Sequence, residues 1–419
     1  MRFRGLLRVS VVSLAAVASL GLAACTPKKP TYVCEAGVTA ASEPQTATPP
    51  APGPPLAMQA AGEDAKAAVA EADVLTPDGR VPLVTVEQTP TGPEITSTPV
   101  ANEAEAEAVA EAAAADGDLV AVEPDSIVTA DAGVLVPDDQ WFQQQYALEQ
   151  VGFVQTWDDS YSGAESGGGQ LVAVLDTGVQ ATHQDLDAQV TPGYSVVGGS
   201  ATTDENSHGT FVAGIIAAET NNMMHVAGAA PAAKILPVKV LDENGQGFTA
   251  DVANGIIWAA DNGATVINVS LGGPNPTQML QLAVQHAVFT KGIPVISSAG
   301  NSGKCGTPSY PAAFEEVLAV GATDANNQRA SFSTTGPYVN VVAPGVDIIS
   351  IDSSGSSSRD GTSFSTPYVS AAAAIVRATQ GFNANQVYWS LIASATDLGP
   401  PGWDPEYGAG LINVPAAAP

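Results

Sequence analysis

Cysteine is scarce in this chain: three residues in 419, at Cys25, Cys34 and Cys305. That excludes a small scaffold stapled by disulfides. Basic residues are also scarce, 14 Lys and Arg against 43 Asp and Glu, giving a formal net charge of −29. Such a polyanion is repelled by a phosphate backbone, which argues against nucleic acid as a partner; the charge reads as solubility. Charged residues make up only 14% of the chain and hydrophobic residues 45%. That balance suits a large buried core and does not suit a wholly disordered chain. After the first 24 residues no apolar run is long enough to span a bilayer. No internal repeat stands out.

The one long apolar run is N-terminal. Arg2, Arg4 and Arg8 form a positive start, and Leu6 to Ala24 is nearly continuous apolar sequence. Small residues and then Cys25-Thr26-Pro27 end it as a cleavage site would, so residues 1–24 read as an export signal rather than a spanning helix. Residues 25–80 are rich in Ala, Pro, Thr and Glu, with Pro49, Pro50, Pro52, Pro54 and Pro55 close together. This composition reads as linker. If flexible, the roughly 115 residues from Cys25 to Trp141 span on the order of 60 Å.

Residues 81–136 give a mixed signal. Leu83–Val86 and Leu119–Val122 are candidate strands, and Ala101–Ala115 is Ala/Glu-rich and helix-prone. More linker with a marginal helix is the competing reading. From Pro137 to residue 419 the sequence is globular, with short apolar runs such as Leu171–Leu175, Thr265–Ser270, Pro294–Ser298 and Val317–Val320 alternating with helical stretches such as Thr210–Ala218 and Ala250–Asn262. Strands that are apolar on both faces are central parallel strands. The expected fold is therefore α/β, a doubly wound, mainly parallel sheet with helices on both faces.

Four positions carry candidate chemistry. Asp176 ends the strand Leu171–Leu175, and a residue at the carboxyl end of a parallel strand points into the ligand crevice. His208 stands at the start of a small-residue helix, where the positive dipole end favours the neutral base. Asn301 ends the strand Pro294–Ser298 and can offer an amide N–H. Ser363 follows Gly361-Thr362 and precedes an alanine-rich helical run, Tyr368 to Ile375. Each alone has an ordinary alternative, as a turn, a packing residue or a helix cap. His183, His225 and His286 lie in less informative contexts and read as surface or packing residues.

In chain order, the blocks Val172–Gly178, His208–Gly214, Ser298–Asn301 and Gly361–Pro367 resemble the subtilisin-like serine proteases, the subtilases. The resemblance covers about Pro137 to Val414. It implies that Ser363 is the nucleophile, His208 the general base and Asp176 its orienting acid, in the order known for subtilisin itself. It implies an oxyanion hole made by Asn301 and the Ser363 N–H. It also implies two substrate-lining segments carrying Gly245 and Gly247, and Ser270, Leu271 and Gly272, where glycines let a peptide approach as an added strand. Phe364 and Ser365 stand where the best-known members have Met and Ala.

Further expectations follow from resemblance. The loop Thr220–Val226, with Asn222 and the distant Asp185, is similar to the family's calcium loop, and oxygen ligands suit that ion. Calcium would be structural, since the chemistry needs no cofactor. Leu22-Ala23-Ala24-Cys25 resembles the bacterial lipobox, in which the cysteine is lipidated. Residues 81–136 stand as a degenerate pro-segment or as linker. Cys305 stands as a free buried thiol or as the partner of Cys34. The implied protein is an exported, monomeric serine endopeptidase acting on polypeptides, with a taste for large apolar residues before the scissile bond. It would touch the membrane only through its N-terminal lipid. Self-cleavage near Ala130–Pro137 would release it, so the tether survives only while the linker is uncut. One rival is a catalytically silent surface scaffold that binds peptides, but no triad residue is missing. An α/β-hydrolase esterase is the other, but its elbow needs Gly where Ser365 stands.

Overall fold

The computed structural model describes residues 80–89, 92–114, 119–124, 136–158 and 160–419. The expected export signal, Cys25, Cys34 and residues 25–79 of the expected linker lie outside the described residues. The chain divides into two compact units, residues 37–134 and the remainder.

In the smaller unit, β1 (Val81–Thr89) pairs antiparallel with β2 (Gly92–Val100) on one side and β3 (Leu119–Pro124) on the other. Helix α1 (Glu103–Ala114) closes a small core of Val81, Leu83, Val100, Ala106 and Ala110. Its start is capped in both directions. Asn102 Oδ1 accepts from Glu105 N (3.0 Å), and the Glu105 carboxylate accepts from Ala101 N (2.9 Å). The described residues between 81 and 124 thus form a folded α/β unit. Strand β2 was not legible in the sequence: Pro93 and Pro99 argue against a strand, and they are tolerated because β2 is an edge.

The larger unit is built on seven parallel strands: β4 (Leu171–Asp176), β5 (Tyr194–Ser195), β6 (Lys234–Lys239), β7 (Val266–Val269), β8 (Val295–Ser298), β9 (Leu318–Thr323) and β10 (Val339–Pro344). Their order is β10-β9-β8-β7-β4-β6-β5. Successive residues of β4 feed opposite faces. Val172 and Val174 enter one core, while Ala173 and Leu175 enter the other. This is why the run is apolar throughout. Helix α2 (His208–Ala217) shares the first core with the long helix α5 (Thr362–Gln380); α3 (Thr249–Asp261) and α4 (Gln278–Gln285) share the second. The expected doubly wound α/β architecture is what the structure has.

From β4 the chain first adds β6 and β5 on one side, then β7 to β10 on the other. The sheet therefore changes direction between β4 and β7, and a crevice opens there beyond the carboxyl ends of the strands. An antiparallel hairpin, β11 (Ile348–Asp352) and β12 (Gly355–Arg359), leads directly into α5. Ser350 Oγ on this hairpin donates to the Phe211 carbonyl of α2 (2.8 Å), and Gly214 leaves room for Ile351. The hairpin thus holds α2 beside the start of α5.

Candidate active site

Asp176 is the last residue of β4 and its side chain is fully buried. Its Oδ1 accepts from Thr177 N (2.8 Å) and lies 2.8 Å from His208 Nδ1. Its Oδ2 has no hydrogen-bond partner among the described residues. Gly209 makes the approach possible: a Cβ there would meet the Gly178 carbonyl at 2.1 Å. Burial pulls the His208 pKa down, but the Asp176 carboxylate, helped by Asp204 and opposed by Arg359, holds it above the ordinary value of 6.5. The expectation from the helix start alone, a base biased to its neutral form, is therefore corrected. A buried anion in contact outweighs the dipole.

Ser363 is the second residue of α5. The helix carries Pro367 in its second turn, and a proline has no N–H to donate to the carbonyl four residues back. That carbonyl is Ser363's, and it accepts from Ser270 Oγ instead (2.8 Å). In return Ser363 Oγ donates to the Ser270 carbonyl (2.9 Å). Among the described residues Ser363 Oγ makes no hydrogen bond to His208. Ser270 directly follows β7, so it is seated under the nucleophile and is not among the cavity-lining residues.

Asn301 lies three residues past β8. Its Oδ1 accepts from Thr362 N (3.0 Å) and from Thr362 Oγ1 (2.9 Å). Two donors on one oxygen fix which end of the amide is which, and leave Nδ2 as the donating end. Asn301, Thr362 and Ser363 line a cavity of about 410 Å³ together with Leu271–Pro274, Ser298, Gly300 and Ser309. A second cavity of about 360 Å³ is lined by Gly245, Gly247, Leu241, Val252 and Leu280, with Leu271, Gly272 and Gly273 shared between the two. The glycines are sterically required: a Cβ at Gly247 would meet the Val240 carbonyl at 2.3 Å, and Gly245 has φ +74°.

Several supporting residues were not read from the sequence. Asp204, almost fully buried, accepts five hydrogen bonds. Oδ1 takes Thr177 Oγ1 (2.8 Å), Asn206 N (3.1 Å) and Ser207 N (2.9 Å); Oδ2 takes Thr210 N (2.8 Å) and Thr210 Oγ1 (2.6 Å). It thereby ties the end of β4 to the first turn of α2. Phe364 packs its ring against His208 (5.4 Å between centroids) and Phe211 (4.7 Å), while Arg359 lies over Phe211 (4.8 Å). Asp204, four residues before His208, reads as an ordinary polar loop residue until the fold places Thr177 against it.

The expected calcium pair does meet. Asp185, fully buried, accepts from Asn222 Nδ2 (2.8 Å) and from Val226 N (3.1 Å). A third residue, Asp139, accepts from Asn221 N (2.8 Å) on the same loop. Burial pushes the Asp185 pKa up to about 6 and that of Asp139 upward as well. Among the described residues no three His, Cys, Asp or Glu converge as a cage. Asn222 also turns its nitrogen, not its oxygen, toward Asp185. The donors fit calcium in kind: hard oxygens on buried carboxylates that a cation would neutralise. Elsewhere, His183 and His225 pack ring to ring (5.0 Å), and His286 meets Asp261 (3.0 Å).

The sequence profile of the Subtilase family matches residues 167–410. The chain is 42% identical over 281 residues to thermitase of Thermoactinomyces vulgaris, covering 66% of this chain and 97% of that one. It is 46% identical over 255 residues to subtilisin Savinase of Lederbergia lenta, covering 60% and 91%. Among solved structures it resembles a protease from Pseudoalteromonas arctica PAMC 21717, with a TM-score of 0.61 and 29% identity over 68% of this chain and 99% of the other.

Proposed function

The chain belongs to the subtilase family and is a serine-type endopeptidase; from that premise we propose that Asp176, His208 and Ser363 are its catalytic triad and Asn301 its oxyanion donor. The observation that carries this reading is the 2.8 Å contact between His208 Nδ1 and Asp176, at the crevice that Ser363 and Asn301 line. The contact leaves Nε2 as the ring's acceptor. In the resting enzyme the Ser363 hydroxyl is held on the Ser270 carbonyl. Reaction begins when χ1 turns Oγ toward His208, a change between staggered wells, and such contacts often tighten only with substrate.

Oγ then attacks the scissile carbonyl carbon and its proton passes to His208 Nε2. The imidazolium is stabilised by Asp176. The carbonyl oxygen, now negative, accepts from Asn301 Nδ2 and the Ser363 N–H. Collapse expels the amine, which takes the proton from His208, and leaves an acyl-enzyme on Ser363. Water, deprotonated by His208, attacks the ester and restores the hydroxyl. The substrate lies as an added strand along 245–247 and 271–273, with side chains entering the two cavities.

No cofactor takes part in this chemistry. Calcium, when bound, stabilises the fold, and Asp185, Asp139 and Asn222 would hold it. The protein is exported and lipid-anchored through Cys25, and residues 81–136 act as a short pro-segment; the composition of residues 1–25 and the small core formed by the described residues between 81 and 124 support these roles. Ser363→Ala should abolish hydrolysis of an unstructured protein while preserving the melting profile. A fluorophosphonate probe should label the wild type at Ser363 and leave the variant unlabelled. Full turnover by the variant refutes the assignment.

A further inference from the structure

Cys305 is not a free thiol: it is disulfide-bonded. It lies four residues past Asn301, in the segment whose Ser302, Thr307, Pro308 and Ser309 line the cavity beside Ser363. The segment is fixed to the domain from within. Cys305 N donates to Thr335 Oγ1 (3.0 Å), Gly303 N donates to the Phe332 carbonyl (2.7 Å), and Lys304 and Arg329 both pair with Glu406. The backbone at Cys305 is in the left-handed region, φ +59°. The chain has only two other cysteines, Cys25 and Cys34.

We infer that Cys34 is the partner of Cys305, and that this bond ties the N-terminal segment to the rim of the catalytic cleft. The inference rests on the lipid-anchor reading of Cys25: a sulfur alkylated by a lipid is a thioether and cannot form a disulfide, so only Cys34 remains. The bond forms when the two thiols give up two protons and two electrons. The electrons reduce the disulfide of a thiol–disulfide oxidoreductase, which leaves as its dithiol; export to an oxidising compartment supplies that partner class.

The bond changes what processing does. A cut anywhere in residues 37–134 leaves two polypeptides still joined through sulfur. Loss of the 81–124 unit therefore does not free the peptidase from its anchor. Only reduction does, or a second cut between Cys25 and Cys34. The dependence of the tether on an uncut linker, expected from sequence, is replaced by dependence on redox state.

The test uses the full chain expressed in an exporting bacterial host and fed an alkyne fatty acid. Membranes are treated with N-ethylmaleimide without reductant, digested with trypsin and analysed by mass spectrometry. The expected result is a Cys34 peptide joined to a Cys305 peptide and separated by dithiothreitol, with the fatty acid on Cys25. After linker cleavage, the peptidase band should leave the membrane fraction only with dithiothreitol, and in Cys34→Ser without it. Cys305 carrying maleimide overturns the pairing, while fatty acid on Cys25 in that same sample keeps the anchor reading. A Cys25–Cys305 peptide overturns both. Release of the cut wild type without reductant overturns the tether.

Discussion

Replacing Asp204 by Asn separates two roles that the structure gives to one carboxylate. As an acceptor it holds the first turn of α2 to the end of β4. As a charge it raises the pKa of His208. Asparagine keeps one oxygen, enough for Thr177 Oγ1, Asn206 N and Ser207 N. Its nitrogen then faces Thr210, whose hydroxyl can reverse but whose N–H cannot. One buried N–H without a partner costs about 1–3 kcal/mol. The lost charge near a helix N-terminus costs about 0.3–1 kcal/mol more. Together these give roughly 1–4 kcal/mol, a fall in Tm of roughly 3–15 °C for a domain of this size. The melt belongs in a Ser363→Ala background, where self-digestion cannot contribute. The second readout is the acid limb of kcat/KM against pH on a peptide anilide. Asp204 favours the protonated imidazole, so removing its charge lowers the His208 pKa, and the limb moves to lower pH. A purely structural residue would lower activity without moving the limb. An unmoved limb, measured on fully folded variant, refutes the electrostatic role.

Asn301→Ala should lower kcat about 10²–10³-fold, the scale known for this donor in subtilisin itself, with KM little changed; a rise in KM with kcat unchanged would place Asn301 in ground-state binding instead. Ser270→Ala should leave the Ser363 carbonyl without a donor, costing about 1–3 kcal/mol. Adding Pro367→Ala restores a main-chain N–H four residues on, so the double variant should recover most of the lost Tm; no recovery refutes the proposed exchange of donors. Asp185 has a folded pKa of about 6 against an ordinary 3.8, so its contribution is complete below pH 4 and lost as pH rises through 6, by about 3 kcal/mol. In a chelator, melts of the Ser363→Ala protein should weaken across that window, and calcium at pH 7 should reverse the loss. Asp185→Asn should flatten the profile, and a flat wild-type profile would refute the cause.

What was legible from the sequence is what is local. Asp176, His208, Asn301 and Ser363 each sit at a strand end or a helix start, and the short motif around each already marks that position. The unbroken apolar runs announced strands buried on both faces. The residues that hold the site were not legible, because their partners are far along the chain. Ser270 meets Ser363 across 93 positions, Asn301 meets Thr362 across 61, and Asp139 reaches the loop at Asn221 across 82. Ser270 was singled out as a substrate-lining residue, and its seat under the nucleophile follows from Pro367, whose effect on a carbonyl only the packed helix reveals. The hairpin of β11 and β12 was missed for a related reason. Its residues Gly355–Arg359 are small and polar, and they become a strand by pairing with Ile348–Asp352.

His208 shows why the local signs misled where they did. Its place at the start of α2 favours the neutral ring by about 0.3–1 kcal/mol, at most about 2, and burial acts in the same direction. Against them stands one carboxylate at contact distance. At an effective dielectric near 20, a pair about 4 Å apart gains on the order of 4 kcal/mol before desolvation is subtracted. Asp176 is therefore strong enough to reverse both opposing influences. The proposed mechanism requires that balance. A base held too firmly as the imidazolium could not take the Ser363 proton near neutral pH. One held too firmly neutral could not carry that proton while the oxyanion exists. With the carboxylate buried and one of its oxygens unshared, little but the imidazolium is placed to answer its charge, so its stabilisation is largest at the moment the proton arrives.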